Sequence, residues 1–182
     1  LHIYCMIKCM KKDLRYKYKK IRKKIKNKFL KDKIIYYKII TKKEVKEASL
    51  ILIYVSCNDE VNTIPLIKYF IRKGIPIAVP KVSLDKMDFY YIKSLKDLKK
   101  GYKGIYEPVP DNLVTSFNKT VSITPGICFN KKGYRVGYGK GFYDKFYQTH
   151  HVYKLGITYK ECIIDEDFND KFDVPLDDII YC

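Results

Sequence analysis

Gly137, Gly139 and Gly141 alternate within the segment Gly133-Tyr-Arg-Val-Gly-Tyr-Gly-Lys-Gly-Phe-Tyr-Asp144. Glycine admits positive φ and lets backbone amides close on an anion. A helix that begins after such a loop aims its free amides and the positive end of its dipole at phosphate. Arg135 and Lys140 add mobile positive charge, so the segment has the chemistry of a polyphosphate cradle. Its spacing matches neither of the two best-known cradles. Lys140 is followed by Gly141 rather than by Ser or Thr, unlike a P-loop. Gly-x-Gly-x-Gly is also not the Gly-x-Gly-x-x-Gly of a dinucleotide-binding turn. A flexible turn without a ligand is the competing reading, since glycine clusters commonly mark loops. Asp144 closes the segment. A carboxylate beside phosphate is electrostatically awkward unless a cation lies between, and Mg2+ binds both kinds of oxygen at once. The alternative for Asp144 is a helix-start aspartate favoured by the dipole.

The elements that must hold this loop can be read from hydrophobic spacing. Leu14, Tyr18, Ile21, Ile25 and Phe29 recur at steps of three and four, which predicts a basic amphipathic helix over 11–30. A second helix is expected over 32–47, with Ile35, Ile39 and Val45 on its apolar side. Leu50–Val55 is dense enough for a buried parallel strand. Ser56–Thr63 reads as a loop, and a helix follows with Pro65 in its first turn and Gly74 as its stop. Ile75–Val79, closed by Pro80, completes a strand–helix–strand unit, which implies a right-handed crossover and a parallel sheet. Further strands are expected at Phe89–Ile92, Val121–Ile123 and Leu155–Tyr159, with a helix over 142–150 and an edge strand at Ile179–Tyr181. Gly101, Gly104, Pro108 and Pro110 mark a long connection. The fold class is therefore α/β.

Bulk properties narrow the classes further. With 182 residues, 47% of them hydrophobic, the chain has the length and apolar content of one domain with one core. The net charge of +17 admits nucleic-acid binding, a compositional bias spread along the chain, or a field that captures polyanionic substrates. The six cysteines form no C-x-x-C pair and are irregularly spaced, so free thiols in a reducing, cytoplasmic compartment are expected rather than a zinc site or disulfides. No apolar run is long enough to span a bilayer, and Leu1–Met10 lacks the features of a secretory leader. His150 and His151 are adjacent, cannot face one site from a helix, and read as surface.

The stretch from Thr124 to Phe146, Pro125-Gly126 through Arg135-Val-Gly-Tyr-Gly-Lys-Gly-Phe-Tyr-Asp144, closely resembles the signature of the 5-formyltetrahydrofolate cyclo-ligases. Other segments match in the same order: Lys11-Lys-Asp-Leu-Arg15, Tyr54–Thr63 with its Asp59-Glu-Val61, Pro80-Lys-Val82, Met87-Asp-Phe89, Gly104–Pro108 and Phe172-Asp-Val-Pro-Leu-Asp177. The resemblance spans about residues 10–181 of a single 1–182 domain and leaves 1–9 as an N-terminal extension. It implies a mostly parallel open sheet flanked by helices on both faces, a Rossmann-like three-layer sandwich. It implies that Lys11, Lys12, Asp13, Leu14 and Arg15 contact ATP, and that Arg135, Val136, Gly137, Tyr138, Gly139, Lys140, Gly141, Phe142 and Tyr143 wrap the triphosphate. Val55, Glu60, Tyr138, Gly139, Lys140, Gly141 and Phe142 would meet the folate, Asp144 and Asp173 would bind Mg2+, and Lys140 and Arg135 would serve catalysis. Phe142 replaces a usual Tyr, Phe172 a usual His, and Tyr138 stands where relatives carry Arg or an aromatic residue.

The implied activity is an ATP- and Mg2+-dependent conversion of 5-formyltetrahydrofolate to 5,10-methenyltetrahydrofolate through an iminium phosphate. Phosphoryl transfer needs positioning and charge neutralisation more than a covalent nucleophile. The sequence offers cations, glycines and aspartates, and no convincing Ser-His-Asp or Cys-His set. The partners expected are the folate and ATP, with neither nucleic acid nor membrane, acting on a monomer. A basic nucleic-acid-binding protein, resting on the charge and the Lys/Arg-rich 11–28, is the rival from another class. A folate-domain protein that has lost catalysis is a second, disfavoured by the presence of all the polar residues named above.

Overall fold

The computed structural model describes residues 2–101, 104 and 106–182. Ile105, within the Gly104–Pro108 match, and Leu1, in the N-terminal stretch, lie outside the described residues. The elements run α1 (His2–Lys24), α2 (Lys28–Thr41), α3 (Lys43–Lys46), β1 (Leu50–Ile53), α4 (Ile64–Arg72), β2 (Ile77–Ser83) and β3 (Lys86–Ile92). Then follow β4 (Leu98–Lys100), β5 (Tyr106–Pro108), β6 (Thr120–Thr124), β7 (Cys128–Asn130), β8 (Arg135–Val136), α5 (Phe142–Thr149), β9 (Tyr153–Thr158), β10 (Ile163–Ile164) and β11 (Asp178–Tyr181).

Six strands form the main sheet in the order β11-β9-β6-β1-β2-β3. Every pair is parallel except β2–β3. After β1 the chain builds outward through α4 to β2 and β3, then returns to lay β6, β9 and β11 on the other side of β1. The carboxyl ends of β1 and β6 thus flank the point where the winding reverses, the crevice in which open α/β sheets bind ligands.

Alternation along β1 shows why a nearly all-apolar strand is needed. Ile51 and Ile53 belong to a core cluster with Ile35 and Ile39 of α2, Val45 of α3 and Leu66, Ile67 and Phe70 of α4. Leu50 and Leu52 join the opposite cluster, with Phe146 and Tyr147 of α5 and Phe89 of β3. Both faces of the strand are covered, so neither can be polar. A third cluster seats Leu14 and Tyr18 of α1 on Cys128, Val136, Cys162 and Phe168, around the small sheet β10-β7-β8.

The structure corrects the two N-terminal helices. The predicted single helix over 11–30 breaks after Lys24, and α2 starts at Lys28. Asn27 makes the turn with φ of 55°, a left-handed conformation that Asn tolerates better than most residues. Phe29, expected on the apolar face of the first helix, falls beyond the break and is 83% exposed. Pro80 does not close its strand, since β2 continues to Ser83 and pairs Pro80 with Phe89. The registered partners of β1 on β2 end at Ala78, so proline costs no ladder bond on that side. The connection expected after Ile92 contains a hairpin, β4–β5. Phe70, fully buried against the sheet, and Phe29 make a paired test. Phe70→Ala should cost about 3–5 kcal/mol in urea unfolding, whereas Phe29→Ser should stay within about 0.5 kcal/mol.

Candidate active site

One face of α1 organises the site. Lys11, Leu14, Arg15, Tyr18 and Arg22 stand at steps of three and four, so they share a stripe about 16 Å long at 1.5 Å per residue. Leu14 and Tyr18 are buried and anchor the helix. The three cations between and beyond them each meet a different part of the C-terminal half. Lys11 Nζ lies 2.5 Å from Asp173 Oδ2 and 2.9 Å from Asp170 Oδ2. Arg15 Nε donates to the carbonyl of Gly137 at 2.7 Å, and its guanidinium lies against Gly139. Arg22, only 5% exposed, donates from NH1 to the Gly126 carbonyl and from NH2 to the Tyr138 hydroxyl, each at 3.1 Å. Lys12 and Asp13 point outward and are exposed.

The glycine loop runs between β8 and α5. Gly139 has φ of +104° and Gly141, which caps α5, has φ of +65°. A side chain at either position would strain the backbone. No side chain caps α5, so its first amides stay available to an anion. Lys140 is exposed on this loop and has no hydrogen bond or ion pair among the described residues. Gly139→Ala has its nearest neighbour, the Arg15 guanidinium carbon, at 3.5 Å, so crowding is slight and the cost is conformational. The substitution should raise the KM for a nucleotide by about tenfold, the equivalent of 1–2 kcal/mol of backbone strain, while heat denaturation shifts by only a few degrees.

Arg135 departs from expectation. Rather than adding mobile charge, its side chain is 3% exposed. NH2 forms an ion pair with Asp144 Oδ1 at 2.9 Å, outside hydrogen-bond alignment. NH1 donates to the Val174 carbonyl at 3.3 Å, and the guanidinium carbon sits 5.4 Å from the Tyr147 ring. Val136 is buried beside it, Phe142 and Tyr143 are partly buried, and the Tyr143 hydroxyl is enclosed without a hydrogen bond. Asp144 Oδ1 also accepts from the Val174 amide at 3.0 Å. Burial pushes the Asp144 carboxyl pKa upward against the opposing pull of Arg135, and the nearby Asp173 carboxylate adds to the rise. Asp144 and Asp173, far apart in sequence, are thus gathered around Val174.

On the far side of the loop the Tyr138 hydroxyl donates to Glu60 Oε1 at 2.5 Å. Glu60 Oε2 accepts from the Cys57 amide at 3.0 Å, which fixes the carboxylate in the loop after β1. Val55, just past β1, is buried in the core cluster beneath that loop. Burial, then the Glu60 carboxylate, raises the Tyr138 hydroxyl pKa and pushes the Cys57 thiol up to about 11. Both groups therefore stay neutral at physiological pH.

Of the predicted residues of α1, Lys11 and Arg15 converge with the two loops and the Asp144–Asp173 pair at the carboxyl ends of β1 and β6, over the buried Leu14, whereas Lys12 and Asp13 do not join them. Arg22 and Asp170 escaped sequence reasoning. Arg22 stands seven residues after Arg15, on the same stripe, which is a signal that could have found it. Asp170 lies three residues before Asp173 and accepts from the Phe172 amide in a tight turn. His150, expected at the surface, is half-buried, stacking on Phe146 at 4.3 Å, while His151 is exposed. A groove of about 780 Å³, lined by Lys119, Thr120, Tyr147, His150, Tyr153 and Asp177 among others, opens at the amino ends of β6 and β9, away from these groups. Converging charge and open amides, rather than volume, mark the site.

Comparison with known proteins gives a consistent result. The profile of the 5-formyltetrahydrofolate cyclo-ligase family matches residues 7–182. A probable 5-formyltetrahydrofolate cyclo-ligase of Caenorhabditis elegans is 29% identical, over 81% of this chain and 79% of its own length. The NMR structure of the Aquifex aeolicus 5,10-methenyltetrahydrofolate synthetase superposes with a TM-score of 0.82 at 26% identity, covering 94% of this chain and 89% of that one. The synthetase of Mycoplasma pneumoniae gives 0.73 at 26% identity, over 93% and 97%.

Proposed function

The chain belongs to the 5-formyltetrahydrofolate cyclo-ligase family, and from that premise we propose that it converts 5-formyltetrahydrofolate to 5,10-methenyltetrahydrofolate, with ATP cleaved to ADP and phosphate. The observation that carries this reading is the convergence, at one sheet crevice, of a cationic helix stripe, an open glycine loop and two adjoining carboxylates. The formyl oxygen attacks the γ-phosphorus and ADP leaves. Nitrogen 10 then adds to the activated carbon of the iminium phosphate, phosphate departs with the former formyl oxygen, and nitrogen 10 gives up its proton. Positioning supplies most of what such a transfer needs.

The chain's groups divide this work. The amides of Gly139–Gly141 and the exposed Lys140 receive the phosphates, and Arg15 braces the loop from behind through Gly137. Arg135 is too enclosed for broad contact and instead holds Asp144 and Val174 in place. Glu60 faces the folate ring, where its carboxylate accepts ring N–H groups, and Tyr138 and Phe142 offer aromatic faces. Among the described residues no three His, Cys, Asp or Glu groups gather for a metal. Mg2+ commonly takes only one or two carboxylates and completes its shell with phosphate and water, so Asp144 and Asp173 fit it. Bound there, it would supply neutralisation of phosphate charge. Asp144, whose pKa is raised by burial and by the neighbouring Asp173 carboxylate, is an acid that a dication relieves.

The proposal extends to a monomeric, single-domain enzyme of the cytoplasm; the six unpaired thiols, of which Cys128 and Cys162 are buried, support only the reducing compartment. No helix among the described residues is long and apolar enough to cross a membrane. The test is direct. Purified protein, 5-formyltetrahydrofolate and Mg-ATP should generate the near-ultraviolet absorbance of the methenyl product, and omission of ATP should abolish it. Absence of product from folded protein would reduce the kinship to fold alone.

A further inference from the structure

The stripe on α1 carries one cation more than the phosphates and carboxylates use. We infer that Arg22 is a positioning residue, which orients Glu60 for the N–H edge of the folate ring by acting through the Tyr138 hydroxyl. The inference rests on the functional reading above for the identity of the ring, and on geometry for the rest.

Arg22 is itself too buried to meet a ligand, at 5% exposure. Its fork spans two segments that both leave the sheet at the reversal point. NH1 takes the carbonyl of Gly126, just after β6, and NH2 takes the hydroxyl of Tyr138 on the glycine loop. Guanidinium has no acceptor capacity and stays protonated in proteins. The Tyr138 oxygen must therefore accept from Arg22, and its single proton is left to donate elsewhere. It donates to Glu60 Oε1. The donor sense of the whole chain, from Arg22 through Tyr138 to Glu60, is set by the one member that cannot reverse. Without Arg22 the tyrosine hydroxyl could turn to other partners, and the glycine loop would keep only the Lys19 ammonium, 5.3 Å from the centre of the Tyr138 ring, as its tie to α1 at this position.

Glu60 is consequently held at both oxygens, by Tyr138 on Oε1 and by the Cys57 amide on Oε2. It keeps spare lone pairs and nothing but acceptor character. That suits a flat heterocycle with N–H donors along one edge, which is the substrate class implied. The same chain ties the folate side of the site to the loop that receives phosphate, so the two substrates' subsites share one hinge at Tyr138.

The experiment uses Arg22→Met, Tyr138→Phe and the double variant in the full chain, with Arg22→Lys, which keeps charge but not the fork, if Arg22→Met fails to fold. In the ligand-free proteins, amide hydrogen exchange at residues 137–141 should quicken by about tenfold in each single variant, the loss of one charge-assisted hydrogen bond. It should quicken no further in the double variant. Calorimetry with 5-formyltetrahydrofolate should show the dissociation constant rising about tenfold on the same scale, with the same lack of additivity, and more than the change for ATP. An Arg22→Met effect that persists undiminished in the Tyr138→Phe background would overturn the inference, because Arg22 would then act by packing or through Gly126 alone. Unchanged exchange in the single variants would overturn it as well. A wild-type protein that binds no folate would instead refute the proposed function, and the exchange data would still decide whether Arg22 acts through Tyr138.

Discussion

Asp144→Asn should reduce turnover by about two to three orders of magnitude, the usual scale for losing electrostatic stabilisation of a transition state, here through loss of a proposed Mg2+ ligand, while the protein remains folded. Asparagine keeps an oxygen for the Val174 amide, so the local chain path survives. What disappears is the negative charge paired with Arg135 beside the glycine loop. The substitution also leaves the Arg135 guanidinium, 3% exposed, without its counter-ion. Removing one partner of a buried pair can cost about 3–5 kcal/mol. Asp144 is 20% exposed, so the lower end or less is expected. Turnover and thermal unfolding should therefore be measured on the same preparation, with the assay run well below the midpoint. A variant that is destabilised yet turns over normally would show that Asp144 serves only as the partner of Arg135, and the metal assignment would fall.

Lys11→Met should produce the second large effect, and its sign depends on what else is present. In the free protein Lys11 neutralises Asp170 and Asp173 together. Burial pushes the Asp170 pKa up, but the hydrogen bonds from Lys11 and the Phe172 amide outweigh it and hold the carboxyl below the usual range. Without the ammonium, the Asp170 and Asp173 carboxylates face each other uncompensated. Stability should fall by about 1–2 kcal/mol, a discounted figure because both carboxylates keep some contact with water. A divalent cation alone should then restore the lost stability, raising the melting temperature of the variant more than that of the wild type. On the reading that Lys11 contacts ATP, the KM for ATP should rise by about ten- to a hundredfold, the scale of one charge-assisted hydrogen bond. Equal stabilisation of both proteins by Mg2+ or Mn2+ would show that the Lys11 ammonium does not stand where the metal binds.

The two predictions bear on the net charge of +17. Only a few of the 37 Lys and Arg residues have specific partners at the site, namely Lys11, Arg15, Arg22 and Arg135. Residues 11–28, which suggested nucleic acid, turn the first three of these cations inward. Lys12, Lys17, Lys19, Lys20, Lys23 and Lys24 of α1 remain exposed. A helix can thus be strongly basic while its buried stripe alone turns toward the candidate site.

The sequence by itself determined the features whose cause is local. The glycine loop is contiguous, and alternate glycines followed by a helix have the same chemistry wherever the sheet puts them. The β1–α4–β2 unit was legible from an apolar run, a proline in a first helical turn and Gly74 with φ of +67°. The α/β class and the parallel core of the sheet followed from these. Asp144 was legible as a residue awkwardly close to phosphate, although its role stayed open between metal ligand and helix start. The tertiary structure alone decided which charges are free and which are spent. Arg135 and Lys140 read alike in the sequence, five residues apart, yet one is enclosed against Asp144 and the other is exposed. The partner of Lys11 lies 162 residues away at Asp173, and that of Arg22 lies 116 away at Tyr138. No local pattern encodes such pairs, because they exist only once the sheet order brings the C-terminal turn and the glycine loop against α1. The break at Asn27 was hidden for a related reason: apolar spacing at steps of three and four runs through it undisturbed, and only packing shows that Phe29 lies on the solvent side.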